Sequence, residues 1–479
     1  MHRIRHPRNA TGISSRVLGL ALALLACAGP AFAQGADPAN LVEKGRSLAI
    51  AADCAGCHTN PQGGEDFAGS YGIPTPVGPI YSSNITPSKT AGIGNYSVED
   101  FTRAVRQGIR KDGSHLYPAM PYTAYTLISD EDIQALYAFF SQGVKPVDKP
   151  SQETKLTFPF NQRYLMMAWN LLFLSDKRYT PDKTKSAQWN RGAYLAKGPA
   201  HCGTCHTPRN LLLAERGDAF LAGASLGTWY APNVTSNPNG GIGGWSVAEL
   251  VQYMKASRVE GKAQAAGPMA EAVAASFQHM SDADLTAIAT FLKDVPSKPD
   301  AGGLLKPRYD YGQPATTEAT QGGAAAADPG WKVYSDNCAA CHQPSGEGNQ
   351  VFPSLFHNTA TVSGRGDNLI ATILNGVNFT VGDTEVFMPA FGDSAAAGQG
   401  LTNQQISDVS TFVFKHFGDP SWHFTADQVQ VMRNGGSAPL LLRIAPAIVP
   451  GIVIMLLAVV ALAWFLVRRR RRRRAGGTH

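Results

Sequence analysis

Three five-residue words stand out in the chain: Cys54-Ala-Gly-Cys57-His58, Cys202-Gly-Thr-Cys205-His206 and Cys338-Ala-Ala-Cys341-His342. In each, two thiols three residues apart share one face if the segment is helical, and a histidine follows at once. Such a pair can form thioethers to the two vinyl groups of a porphyrin while the imidazole binds its iron, and C-x-x-C-H is the attachment signature of c-type haem. With 7 cysteines and 12 histidines in 479 residues, chance yields about 0.003 such words. The spacing therefore predicts three covalently bound haem c groups. A zinc site, a disulfide framework or a thioredoxin-like pair would also use paired cysteines, but none explains the histidine three times over.

An electron-carrying c haem needs a second axial ligand, usually a methionine thioether on the loop before the closing helix. Met120 lies 62 residues after His58, Met269 lies 63 after His206, and Met388 lies 46 after His342. These three are the expected sixth ligands, with His58, His206 and His342 on the other side of each iron. Proline follows Met120 and Met388, which biases both to an extended backbone. Met254, Met280 and the pair Met166-Met167 are read as core fillers, the commoner role of this residue. His115, His201, His279, His357, His416 and His423 do not recur in register and are read as ordinary histidines. Pro61, Pro208 and Pro344 follow the motif histidines closely, so a neighbouring carbonyl is expected to accept each Nδ1–H and direct Nε2 to iron.

These groups must be held by helices, and the sequence repeats its plan for doing so. Asn84-Ile85-Thr86, Gly92-Ile93-Gly94 and Tyr96-Ser97-Val98 match Asn233-Val234-Thr235, Gly241-Ile242-Gly243 and Trp245-Ser246-Val247 at an offset of 149 residues. A helix is expected before each motif, over about Leu41–Asp53, Trp189–Ala200 and Gly330–Asn337. Gly45, Gly192 and Gly330 within them leave room for a closely crossing helix. Closing helices are expected from Ser129, Ser281 and Thr402, whose hydroxyls suit N-caps. Ile133, Leu136, Tyr137 and Phe140 then recur at helical spacing. Domains of this size with long polar loops need a ligand to complete an apolar core. The stretch from Lys298 to Asp328, rich in Gly, Ala, Pro and Thr, reads as a linker.

The two ends read as targeting segments. Arg3, Arg5, Arg8 and Arg16, the apolar run Val17–Cys27 and Ala31-Phe32-Ala33 resemble a secretory signal cleaved before Gln34; lipidation of Cys27 is the alternative. Near the other end, the 24 uncharged residues Ile444 to Val467 would form a helix of about 36 Å, long enough to span a bilayer. Arg468 to Arg474 follow and would remain cytoplasmic. The formal net charge is +6, but without the arginines of the two ends the remainder is net acidic. Nothing in it points to nucleic acid.

Taken together, the haem words, Asn84-Ile85-Thr86 with Gly92-Ile93-Gly94, Tyr117-Pro118-Ala119-Met120-Pro121-Tyr122 and Ala200-His201-Cys202-Gly203-Thr204-Cys205-His206-Thr207-Pro208-Arg209-Asn210 give the chain its likeness. It resembles the trihaem cytochrome c subunits of bacterial membrane-bound dehydrogenases, which serve quinoprotein alcohol dehydrogenase and the flavin-dependent gluconate, 2-ketogluconate, sorbitol and fructose dehydrogenases. The resemblance implies a mainly α fold of three tandem c-type cytochrome domains followed by one C-terminal transmembrane helix. Its expected boundaries are a signal peptide at 1–33, domains at 34–150, 180–297 and 329–420, a linker at 298–328, a transmembrane helix at 444–467 and an arginine-rich tail at 468–479. It also implies electron transfer from a large catalytic subunit through three haems to ubiquinone, with the haem domains periplasmic at the bacterial inner membrane. FAD, or pyrroloquinoline quinone as the alternative, is expected only in that partner, and a further small subunit belongs to some such complexes. No substrate chemistry is expected of this chain, because six-coordinate iron has no open position. The rival readings are a peroxidase-like haem enzyme and a terminal-oxidase cytochrome c subunit.

Overall fold

The computed structural model describes residues 38–299, 302–316, 327–362 and 365–475. The expected signal peptide with Cys27, residues 34–37 of the expected first domain, residues 300, 301 and 317–326 of the expected linker and residues 476–479 of the expected tail lie outside them. The described chain is mainly helical, and its four small sheets are two-stranded antiparallel hairpins.

Three units repeat one arrangement: a leading helix, a short helix bearing the motif, a loop region, and a closing helix that packs back on the leading helix. The leading helices are Pro38–Ala51, Ala187–Lys197 and Pro329–Asn337; the closing helices are Asp130–Ala138, Asp282–Asp294 and Asn403–Phe417. Ser129, Ser281 and Thr402 are the N-caps, accepting from the backbone N–H of Asp132, Asp284 and Gln405 at 3.2, 3.1 and 3.3 Å. Each hydroxyl thus satisfies a donor with no partner inside its helix.

The expected close crossings are present. A Cβ added at Gly45 would stand 1.9 Å from Ala135 O, one at Gly192 1.8 Å from Ala287 O, and one at Gly330 2.4 Å from Asp408 O. Only hydrogen at these positions allows the backbones to approach so closely. Around each crossing lies a core: Leu48, Phe101, Ile133, Leu136 and Phe140 in the first unit, Leu195, Leu250, Leu285, Ile288 and Phe291 in the second, and Tyr334, Ile370, Ile406, Phe412 and Phe414 in the third.

The second unit touches both others. Tyr125 of the first stacks on His201 at 5.6 Å between ring centres, and Ser276 Oγ donates to Ile50 O at 2.6 Å. On the other side Asn368 brackets Tyr230, accepting from its N–H and donating to its C=O, both at 2.9 Å. Residues 302–316 bridge the second and third units: Arg308 N–H donates to Asn239 O at 3.1 Å and Ala315 N–H to Ser345 O at 3.0 Å. Gly312, with φ at +76°, lies where a Cβ would meet Phe417 O at 2.0 Å.

Two expectations need correction. Residues 444–467 are helical, within Leu440–Ala475, but among the described residues no helix is long and apolar enough to cross a membrane. The expected C-terminal transmembrane helix is therefore not upheld. The apolar stretch is no separate element, since the same helix includes Arg443 and continues into the arginine run. Of the four methionines read as core fillers, Met254 and Met280 are buried, whereas Met167 is 62% exposed. It lies on the helix Leu165–Phe173, which contributes no buried residue.

Candidate haem-binding sites

The first two motifs form five-residue helices, Cys54–His58 and Cys202–His206; the third runs through Ala339–His342 directly after Cys338. In the first two units the preceding residue is left-handed, Asp53 with φ at 49° and His201 with φ at 37°. This kink turns the chain from the leading helix into the motif. All six motif cysteines are free thiols. Burial raises the pKa of Cys54, Cys57, Cys202, Cys205 and Cys338, in Cys57, Cys202 and Cys338 to about 12, so these five rest protonated among apolar side chains.

Each motif histidine is held from behind. The Nδ1–H of His58 donates to Ser83 O at 2.6 Å, that of His206 to Pro232 O at 2.7 Å, and that of His342 to Pro353 O at 2.9 Å. A carbonyl can only accept, so Nδ1 carries the proton and the Nε2 lone pair is left for a metal. Burial also lowers the pKa of all three imidazoles, which favours the neutral form that ligation requires. The expectation of a carbonyl acceptor holds, but its place does not. The acceptors lie 25, 26 and 11 residues after the histidines, not beside Pro61, Pro208 and Pro344.

The residue after each acceptor explains why that carbonyl is fixed. Asn84 Oδ1 accepts from the N–H and Oγ1–H of Thr86 at 2.9 and 2.7 Å, while its Nδ2 donates to Val147 O and Lys149 O. Asn233 repeats this with Thr235 at 2.9 and 2.7 Å and with Lys298 O at 3.0 Å. In the third unit Ser354 substitutes, its Oγ bonding both Phe356 N and Phe356 O.

Met120 and Cys54 both pack against the first core, Met269 and Cys202 against the second, and Met388 and Cys338 against the third. Their settings differ. Met120 lies in the loop before the helix Tyr122–Tyr125, Met269 in the first turn of the helix Gly267–Ala275, and Met388 at the end of a hairpin strand paired with Val377. One cavity of about 990 Å³ is lined by Cys202, Cys205, His206 and Met269 and also by Cys338, Cys341, His342 and Met388. Leu250, Ile288, Leu369, Ile373 and Val409 supply apolar wall. Paired thiols, an imidazole with a free Nε2 and a thioether around an apolar cavity fit a covalently held iron porphyrin. The cavity also reaches Asp53 of the first unit, and the first motif helix, Cys54–His58, packs against the second unit's helix Gly267–Ala275.

Asp53, His201 and the three acceptor carbonyls are features that sequence reasoning missed. For the carbonyls a signal existed: the repeated Asn-x-Thr has a local side-chain function that makes sense only if it positions its neighbour.

Comparison with known proteins agrees with this chemistry. Residues 327–416 match the cytochrome c family, and residues 40–140 match subunit III of cbb3-type cytochrome c oxidase. The chain is 45% identical over 425 residues to the fructose dehydrogenase cytochrome subunit of Gluconobacter japonicus, covering 87% of this chain and 86% of that one. It is 38% identical to the cytochrome c subunit of the quinone alcohol dehydrogenase of Gluconobacter oxydans, covering 88% of each. It is 37% identical to the gluconate 2-dehydrogenase cytochrome c subunit of Pantoea cypripedii, covering 84% of this chain and 91% of that one. The cytochrome c matches mean covalently attached haem c, and a likeness that runs through nearly the whole length means that the chain belongs to the family of dehydrogenase cytochrome c subunits.

Proposed function

We propose that the chain is the electron-transfer subunit of a dehydrogenase complex, holding a haem c at each of its three motifs and passing electrons from a catalytic subunit to ubiquinone. The observation that carries this reading is the threefold recurrence of one arrangement: paired thiols, a histidine with Nδ1–H on a fixed carbonyl, and a methionine on the same core. Bound haem supplies a one-electron carrier at each place. The chain's own residues do the rest. Cys54 and Cys57, Cys202 and Cys205, and Cys338 and Cys341 anchor the groups. His58 with Met120, His206 with Met269 and His342 with Met388 would hold the three irons, and the apolar cores would keep water from them.

The second unit is in the middle of this relay, because its motif neighbours the first and its cavity is continuous with the third. The catalytic partner is read as a flavin-dependent sugar, sugar-acid or polyol dehydrogenase, since identity to the fructose dehydrogenase subunit exceeds that to the quinone alcohol dehydrogenase subunit. We place the motif-bearing units on the periplasmic side of the inner membrane, where the signal-like N-terminus would direct them. A terminal-oxidase role is less well supported, because the oxidase-type match covers only residues 40–140.

The test is a haem count on the purified chain by pyridine haemochrome and by mass of the motif peptides, followed by substrate-driven reduction with its dehydrogenase. Three haems, all reduced by substrate and reoxidised by a ubiquinone analogue, are expected. Fewer than three, or haems that the substrate cannot reduce, would refute the assignment.

A further inference from the structure

The first two motifs meet at a buried contact that also contains carboxylates. Asp53 immediately precedes Cys54, and Glu271 lies on the second unit's helix Gly267–Ala275. Asp53 faces the cavity, and its Oδ1 is buried without a hydrogen-bond partner. Its carboxylate is folded over the motif so closely that a Cβ at Gly56 would stand 2.5 Å from that oxygen. The ionisable groups around Asp53 are Cys54 and Cys57 on its own side, Cys205 and Glu271 from the second unit, and Tyr125. Tyr71 adds a hydroxyl, donating to Glu271 Oε2 at 3.5 Å. Once the cysteines are thioethers they no longer titrate. The charge then acting on Asp53 is that of Glu271, of the same sign.

An ionised carboxylate with an unpaired oxygen in an apolar contact is costly, and a proton relieves both the charge and the repulsion. An electron arriving nearby adds negative charge to the same low-dielectric region and raises that proton's affinity. By reciprocity, the proton raises the electron's affinity by the same factor.

We propose that Asp53 is a proton-binding site linked to reduction of the first two motif sites: as one electron arrives at either, one proton from solvent binds the Asp53 carboxylate, and it leaves when the electron moves on. The proposal rests on the reading that haem occupies these motifs. Burial first, and Glu271 second, hold Asp53 at about 7, so its charge changes in the ordinary working range.

The experiment is a spectroelectrochemical titration of the full-length protein between pH 5.5 and 8.5, with haem counted by motif-peptide mass. In the wild type, the reduction constant of one of the first two haems should fall by up to tenfold per pH unit around neutrality, about 59 mV for a one-electron step. Asp53→Asn should abolish that dependence, and Asp53→Glu should keep it. Full haem with pH-independent equilibria in the wild type, or an unchanged slope in Asp53→Asn, overturns the proposal alone. Wild-type motif peptides without haem overturn the haem reading and this proposal with it. If Asp53→Asn does not assemble, reduction of the wild type in weak buffer with a pH-indicating dye decides: proton uptake supports the proposal, and its absence overturns it.

Discussion

Replacing Gly192 by alanine sets two well-known effects against each other, and the structure says which wins. In an exposed helix interior the change would add about 1 kcal/mol through helix propensity. Here the new methyl would stand 1.8 Å from Ala287 O and 2.3 Å from Ala287 C, where ordinary contact begins near 3.4 Å. Both atoms are backbone of the closing helix, so no side chain can swing away. The leading and closing helices must separate by more than about 1 Å, at an overpacking cost of about 1–3 kcal/mol. Ala193, Leu195, Leu285 and Ile288, all buried at this crossing, lose contact as well. The net expectation is a destabilisation of about 1–2 kcal/mol, or a fall in Tm of roughly 5–10 °C for a unit of this size. Thermal unfolding followed by circular dichroism measures it. Gly45→Ala, at 1.9 Å from Ala135 O, should behave alike; Gly330→Ala, at 2.4 Å from Asp408 O, should be milder. A Gly192→Ala protein as stable as the wild type would refute the argument that these helices cross by backbone contact.

Asn233→Ala removes three hydrogen bonds from a buried position and should cost about 2–5 kcal/mol; because it frees the carbonyl that holds His206, a spectral or redox change confined to one haem should accompany the loss, and stability loss without that change would separate Asn233 from ligand positioning. Met388→His should lower one of three redox waves, since a thioether favours ferrous iron more than imidazole does; potentiometry that finds all three waves in place would remove Met388 from the ligand set. Asp53 also predicts the pH dependence of stability. Its pKa is raised by folding from 3.8 to about 7, so the folded state binds the extra proton between those values. This contribution is fully present below about pH 4 and is lost as pH rises to about 7, by on the order of 4 kcal/mol in all, of which about 3 kcal/mol goes between pH 5 and pH 8. Denaturant unfolding at pH 5 and pH 8 should show that fall in the wild type and not in Asp53→Asn.

Much of the fold was legible because its determinants are local. An N-cap acts within three residues, so Ser129, Ser281 and Thr402 marked the starts of the closing helices without knowledge of the rest of the chain. Gly45, Gly192 and Gly330 were legible through repetition: one glycine at a helix start is unremarkable, but three at similar distances from the same motif point to a crossing. What stayed hidden depends on partners far away in sequence. His201 read as an ordinary histidine, yet it stacks on Tyr125 across the contact between units. The stretch 444–467 was read as a span bounded by the arginines that flank it, although the helix runs through those charged residues on both sides.

The histidine anchor shows most clearly where local reasoning fails and how repetition can repair it. A proline two or three residues after each motif histidine looked like the support because it was near. The true supports, Ser83 O and Pro232 O, are remote from the histidines but occupy matching places immediately before Asn-x-Thr. The 149-residue offset shared by Asn84 and Asn233 thus marks a structural function: an asparagine that ties down its own turn and holds the preceding carbonyl still. The third unit reaches its acceptor after only 11 residues and has Ser354 where the others have asparagine. A shorter loop needs less to fix it, so one hydroxyl bonding Phe356 does what four bonds do at Asn84. The histidine's orientation is kept in all three units while the means of holding it changes with loop length. A search confined to the motif's neighbours could therefore find the histidine in each unit but not its support.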